Sequence, residues 1–197
     1  MGLARSKHAA AAPATEEEQR GAHWKRIVLV GASGTGKSHF LSVVCGDGMP
    51  NDETRHSTHG QYKETLKHRG VQLDFVELGW PALRADCCTW WQHDADAVMW
   101  FIDERDSRSR IQHVRSHLLG FLESHAGIRG LCIILNKRTP YAGAGATQNV
   151  TWSTLPSMCD VEALQGLFER RIYLSELSYE DEHTPLLFLD WLASDGD

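Results

Sequence analysis

Apolar positions along this chain follow two alternating periods. Ile27 to Val30 is a short β-branched run that stops at Gly31, and Ser38 to Cys45 continues as a helix. Gln61 to His68 and Val71 to Leu78 alternate about Arg69-Gly70, a two-residue hairpin signal. Ala97 to Asp103 (A-V-M-W-F-I-D) and Leu131 to Leu135 (L-C-I-I-L) are continuous apolar runs. Parallel strands covered on both faces show that pattern. Helical periods occupy Ala82 to His93, Ile111 to His125 and Leu186 to Ala193, and Ile172 to Leu174 is a weaker last strand. Strands alternating with helices predict an α/β fold, a mostly parallel open sheet with one antiparallel hairpin and helices on both faces. Residues 140–160, with Gly143, Gly145 and Pro156, read as irregular.

Residues 1–22 break this pattern. They hold one large apolar side chain beyond the initiator, Leu3, together with alanines, Pro13 and the Glu16–Glu18 run. Such a composition cannot build a core, so a mobile tail is expected before a single domain over residues 23–197. A chain of 197 residues that is 42% hydrophobic and 23% charged suits one globular domain. Its formal net charge of −6 argues against a nucleic-acid groove, which needs a basic face. Cys45, Cys87, Cys88, Cys132 and Cys159 show no C-x-x-C spacing, and a reducing, cytoplasmic compartment is expected. The longest apolar run, Ala97 to Ile102, is too short to span a bilayer. Among the 11 histidines, His113 and His117 are four apart on an expected helix, but no third ligand is identifiable near them. A zinc site needs three or four convergent ligands, so these read as surface residues.

The chemistry begins where the first strand ends. Gly31-Ala-Ser-Gly-Thr-Gly36-Lys37-Ser38 satisfies G-x-x-x-x-G-K-S/T in the required strand-to-helix setting. Gly31, Gly34 and Gly36, with Ser33 and Thr35 between them, let backbone N–H groups curl round phosphates. Lys37 reaches the β- and γ-phosphates, and the Ser38 hydroxyl can ligate Mg²⁺. Asn136-Lys137-Arg138-Thr139 follows the L-C-I-I-L strand directly, at a strand C-terminus where α/β sheets bind ligands.

Several stretches together resemble the Arf and Arf-like branch of the small GTPases over roughly residues 24–193. Asn136-Lys137-Arg138-Thr139 is similar to the N-K-x-D guanine motif, with Thr139 where the aspartate belongs. V-E-L-G-W-P (Val76 to Pro81) stands in for W-D-V-G-G-Q, and F-I-D-E-R-D (Phe101 to Asp106) for V-V-D-S-x-D. Thr58-His59-Gly60 is similar to the first-switch T-I-G, and Leu189-Asp190-Trp191-Leu192 to the closing helix. Glu77 and the altered glutamine position most resemble the atypical Arf-like protein sixteen subgroup.

The resemblance implies a Ras-like P-loop fold that binds GTP and GDP with Mg²⁺. Ser38 and Thr58 would ligate the metal, and Glu77 would hold a metal-bound water. Gly79 and Trp80 would lie against the γ-phosphate, and Asn136 and Lys137 would meet the base. Pro81 occupies the position of the water-orienting glutamine and has no polar side-chain group, so no catalytic residue is assigned and hydrolysis is expected to be weak or absent. A threonine at 139 cannot receive the charged, bidentate pair that an aspartate accepts from guanine. An ATPase and a nucleotide-independent scaffold therefore stay open as alternatives.

Partners follow from the same resemblance. Protein effectors and regulators would bind at the switches, with roles in membrane or ciliary trafficking. The positions matching the branch's effector-facing aromatic triad are Gln61, Val76 and Trp91, so one aromatic remains, while Trp80 and Trp90 are further candidates for anchoring a partner. Met1-Gly2-Leu3-Ala4-Arg5-Ser6 fits M-G-x-x-x-S/T, the myristoylation pattern at Gly2. A single acyl chain with Arg5 and Lys7 beside it gives at most a reversible membrane contact, for instance at the ciliary base.

Overall fold

The computed structural model describes residues 24–46, 61–78, 95–125, 127–137, 149–167, 171–181 and 183–194. The tail and the helix expected over 82–93 lie outside the described residues. The elements run β1 (Trp24–Gly31), α1 (Lys37–Cys45), β2 (Gln61–His68), β3 (Val71–Leu78), β4 (Ala97–Asp103), α2 (Arg108–Ser124), β5 (Gly130–Asn136), α3 (Leu155–Cys159), α4 (Val161–Leu167), β6 (Arg171–Leu177) and α5 (Thr184–Ala193). One sheet holds all six strands in the order β2-β3-β1-β4-β5-β6. β2 and β3 are antiparallel; the other neighbours are parallel.

Strand periodicity decides which side chains meet which helices, because successive residues point to opposite faces of a sheet. Val28, Val30, Trp100, Ile102, Ile133 and Leu135 share one cluster with Ile111, Val114, Leu118 and Leu122 of α2. The alternate residues Ile27, Leu29, Met99, Phe101, Cys132 and Ile134 pack with Phe40 and Leu41 of α1 and with Phe188, Leu189 and Leu192 of α5. Every residue of β4 and of β5 is buried, as expected for central strands with helices on both faces.

The hairpin turns where its sequence signal lies, with Arg69 at φ 47° and Gly70 at φ 82°. Two left-handed residues in succession match the strand twist of a two-residue turn. The hairpin end is fastened to the C-terminal helix. Asp190 on α5 lies 2.6 Å from His68 Nε2 and 2.7 Å from Arg69 Nη2. On the same helix Trp191 stacks on Tyr173 of β6 at 5.5 Å between ring centroids.

The chain leaves β1 toward β3 on one side and β4 on the other. Strand order therefore reverses at the C-terminal end of β1, the place where open α/β sheets leave a crevice for ligands. Gly31 to Ser38 occupies that place.

Candidate functional site

Between β1 and α1 the chain must turn sharply while leaving backbone N–H groups free to point outward. Gly36, the N-cap of α1, sits at φ 94°, with no side-chain cap and no acidic residue in the first turn of the helix. The first N–H groups of the helix thus have no carboxylate of their own turn against them. A Cβ on Gly36 would come within 2.2 Å of Asn136 Nδ2. Only glycine fits both the backbone angle and the space.

The side chains around this loop are fixed from three sides. Lys37 is 5% exposed, and its Nζ donates to the carbonyl oxygens of Gly31 and Ala32, each at 3.1 Å. Burial pulls its pKa from 10.5 down to about 8, opposed by the negative charge of Glu77. The Thr35 hydroxyl donates to Ala32 O at 2.9 Å. Asn136, at the end of β5, donates from Nδ2 to Thr35 O at 2.9 Å. It thereby ties the loop to the strand two places along the sheet. A carboxamide bonded to a main-chain carbonyl sets the distance between the two segments.

Ser38 and Glu77 form the third element. The Ser38 hydroxyl donates to Glu77 Oε1 at 2.9 Å, and Glu77 is 2% exposed at the end of β3, in register with Leu29 of β1. One hydroxyl and one carboxylate side by side suit a hard cation that also takes phosphate oxygens and water, which is how Mg²⁺ is usually held. Among the described residues no group of three or more His, Cys, Asp or Glu side chains could hold a metal ion by itself. Asn136 Oδ1 is buried and has no hydrogen-bond partner among the described residues. A buried acceptor of this kind is uncommon, and it fits a site that takes a polar ligand.

Beyond Asn136 the arrangement is looser. Lys137 N donates to Leu177 O at 2.9 Å, holding the main chain. Its ammonium lies 2.6 Å from Glu176 Oε2, an ion pair in which both side chains are about a third exposed. The structure therefore brings Gly31, Thr35, Gly36, Lys37, Ser38, Glu77 and Asn136 into one contact network, with Ser33 and Gly34 on its exposed crest. Lys137 stands beside that network and not within it. Thr58, Gly79, Trp80, Pro81, Trp90, Trp91, Thr139 and Gly2 lie outside the described residues. Val76 is 5% exposed and belongs to the core, so that position offers no side chain to an effector.

Sequence reasoning quoted Asp103 and Asp106 within a motif without giving them a role, and it missed Arg110. Asp103 and Asp106, both buried, build the bend after β4. Asp106 Oδ2 accepts from Asp103 N at 2.9 Å, and Asp103 Oδ1 accepts from Arg105 Nε at 2.9 Å. Arg110 reaches the loop itself, its Nη2 donating to Ser33 O. The four-residue spacing of Asp106 and Arg110 was the available signal for that arginine.

The likeness to known proteins agrees with this geometry. No curated protein matches the chain. Among solved structures, the Arl6 BBS3 small GTPase from Trypanosoma brucei with bound nucleotide analogue GppNp is similar over 88% of this chain and 99% of its own. At 21% identity and a TM-score of 0.59 it shows a shared fold, the Ras-like GTPase fold with its single antiparallel strand pair. The family model of the ADP-ribosylation factor family matches residues 15–194, nearly the whole of the 197-residue chain. That match covers far more than half of the chain, and the chain belongs to the ADP-ribosylation factor family.

Proposed function

We propose that this Arf-family small GTPase is a guanine-nucleotide switch that loads GTP with Mg²⁺ and hydrolyses it very slowly unless a partner assists. The observation that carries this reading is the intact phosphate end. Lys37 is held on loop carbonyls, and Ser38 and Glu77 sit together as oxygen donors. Weak turnover follows from Pro81, which leaves the water-orienting role unfilled. Ser38, Thr58 and Glu77 are the metal-side residues. Gly79 and Trp80 belong to the γ-phosphate segment, and Asn136 and Lys137 to the base. Glu77 and Pro81 favour the atypical Arf-like protein sixteen subgroup within the family. By family resemblance the loaded form recruits effectors in membrane or ciliary trafficking, with Gly2 as the site of a reversible lipid anchor.

Nucleotide extraction from the purified chain, followed by chromatography, tests the reading. Bound guanine nucleotide is expected. Adenine nucleotide would point to an ATPase, and no nucleotide at all to a scaffold that keeps only the fold. In single-turnover hydrolysis the rate is expected to be low and to rise in Pro81→Gln; a fast rate indifferent to that change would end the claim of a dismantled hydrolytic centre.

A further inference from the structure

Arg110 lies outside the phosphate, metal and base motifs, yet it touches the phosphate loop. Ser107 caps α2, accepting at Oγ from Arg110 N at 3.3 Å, which puts Arg110 in the first turn. That turn has no acidic residue, so the cation stands at the positive end of the helix dipole, against the usual preference. Its side chain is 45% exposed, with Nη1 3.2 Å from Asp106 Oδ1 and Nη2 donating to Ser33 O on the loop crest.

Arg105, two places past the end of β4 in the same bend, shows what a structural arginine does here. It lies against one carboxylate through two nitrogens, Nε at 2.9 Å from Asp103 Oδ1 and Nη2 at 3.2 Å from Asp103 Oδ2. Arg110 instead divides itself between a carboxylate and a loop carbonyl. A guanidinium has five N–H donors, and these two contacts engage only part of them. Its charge also reaches Lys37, whose pKa it helps to lower. Two cations converging on a glycine-rich loop at a helix N-terminus are stabilised together by an anion of high charge.

We infer that Arg110 is a terminal-phosphate contact, its guanidinium donating to the γ-phosphate oxygens of a bound nucleoside triphosphate. The inference rests on the reading of the chain as a GTP-binding switch and deepens it. Lys37 spans the β- and γ-phosphates and so keeps a contact to GDP, whereas Arg110 approaches from α2 and serves the group that distinguishes the two nucleotides. A planar fork matches phosphate oxygens better than a point charge does.

The full-length chain, stripped of nucleotide, is titrated with a non-hydrolysable GTP analogue and with GDP, each with Mg²⁺. Arg110→Ala is expected to weaken the triphosphate analogue by about 10- to 100-fold, the range of a charge-assisted contact, while GDP stays within about threefold. Arg110→Lys should recover part of the loss, because it returns the charge without the fork. Equal losses for both nucleotides would mean that the residue only props Ser33, and no loss for either would mean that it serves neither; each result overturns the inference. If the wild-type chain binds neither nucleotide, the GTP reading fails and takes this one with it. If the wild type binds both and Arg110→Ala keeps the same preference, the Arg110 inference alone fails.

Discussion

The two ends of the proposed nucleotide site are built on different principles. At the phosphate end, recognition belongs to the backbone, and Thr35, Lys37 and Asn136 are buried and bonded to it. Lys37 bonds the Gly31 and Ala32 carbonyls, Thr35 shares the Ala32 carbonyl, and Asn136 bonds Thr35 O from β5. At the base end, Lys137 and Glu176 form a partly exposed ion pair, and the sequence carries Thr139 where a guanine-reading carboxylate would stand. Backbone geometry tolerates almost no substitution, because each piece fixes the next. A side chain on a rim can change without disturbing the fold. Affinity is therefore expected to reside at the phosphate end, and the choice of base to be the more easily altered property.

Gly36→Ala should break this division most severely. The added Cβ meets Asn136 Nδ2 at 2.2 Å on a backbone at φ 94°, and Asn136 is 4% exposed with little room to retreat. A left-handed alanine costs roughly 1–3 kcal/mol, and loss of the Asn136–Thr35 bond about 1 kcal/mol more. Urea unfolding should show a loss of about 2–4 kcal/mol. Nucleotide titration should show affinity reduced by about a hundredfold, because the loop can no longer present its N–H groups. An unchanged unfolding midpoint with unchanged binding would mean that the loop is not locked as described.

Protonation of Lys37 gives a milder test of the same end. Burial places its pKa at about 8, against 10.5 for a free side chain. Between those values the unfolded chain holds a proton that the folded chain has released. The unliganded protein should therefore gain stability from Lys37 as pH rises through that window. Phosphate binding requires the ammonium, so affinity moves the other way. It should fall by about tenfold between about pH 7 and about pH 9 in fluorescent-nucleotide titrations. A flat profile would place Lys37 in a wetter setting than the structure gives it.

How much of this was legible in the sequence depended on whether a signal was local. β1, β4 and β5 declared themselves because strands buried on both faces read as unbroken apolar runs. β6 was weaker because its first six residues are only half-buried, which blurs any period. α2 begins at Arg108, earlier than the apolar period at Ile111, because Ser107 caps it and the intervening Arg-Ser-Arg carries no apolar signal. α3 and α4 went unread, with five and seven residues, too few for a helical period to repeat. Lys37, Ser38 and the glycines could be named because a phosphate cradle imposes residue types at fixed spacing, and Asn136 only through its resemblance to the N-K-x-D motif. Arg110 could not. An arginine four residues after an aspartate looks like an ordinary surface pair on a helix, and only the fold brings Ser33 to it. Glu176 was hidden for the same reason, since its contact runs between neighbouring strands.

The smallest effect is expected at the base end, from Glu176→Gln. Both members of the pair are partly exposed, at 39% for Lys137 and 33% for Glu176. Solvent screens such a pair, so its loss should change stability by less than about 1 kcal/mol. The lysine main chain is held independently, through Lys137 N on Leu177 O at 2.9 Å, and Asn136 keeps its own bond to Thr35. GTP affinity should accordingly stay within about threefold of wild type in the same titration. A loss above tenfold for GTP but not for inosine triphosphate, which lacks the exocyclic amine, would give a different picture. Glu176 would then be supplying the carboxylate that Thr139 does not, and the base end would prove as tightly specified as the phosphate end, through a residue on the neighbouring strand.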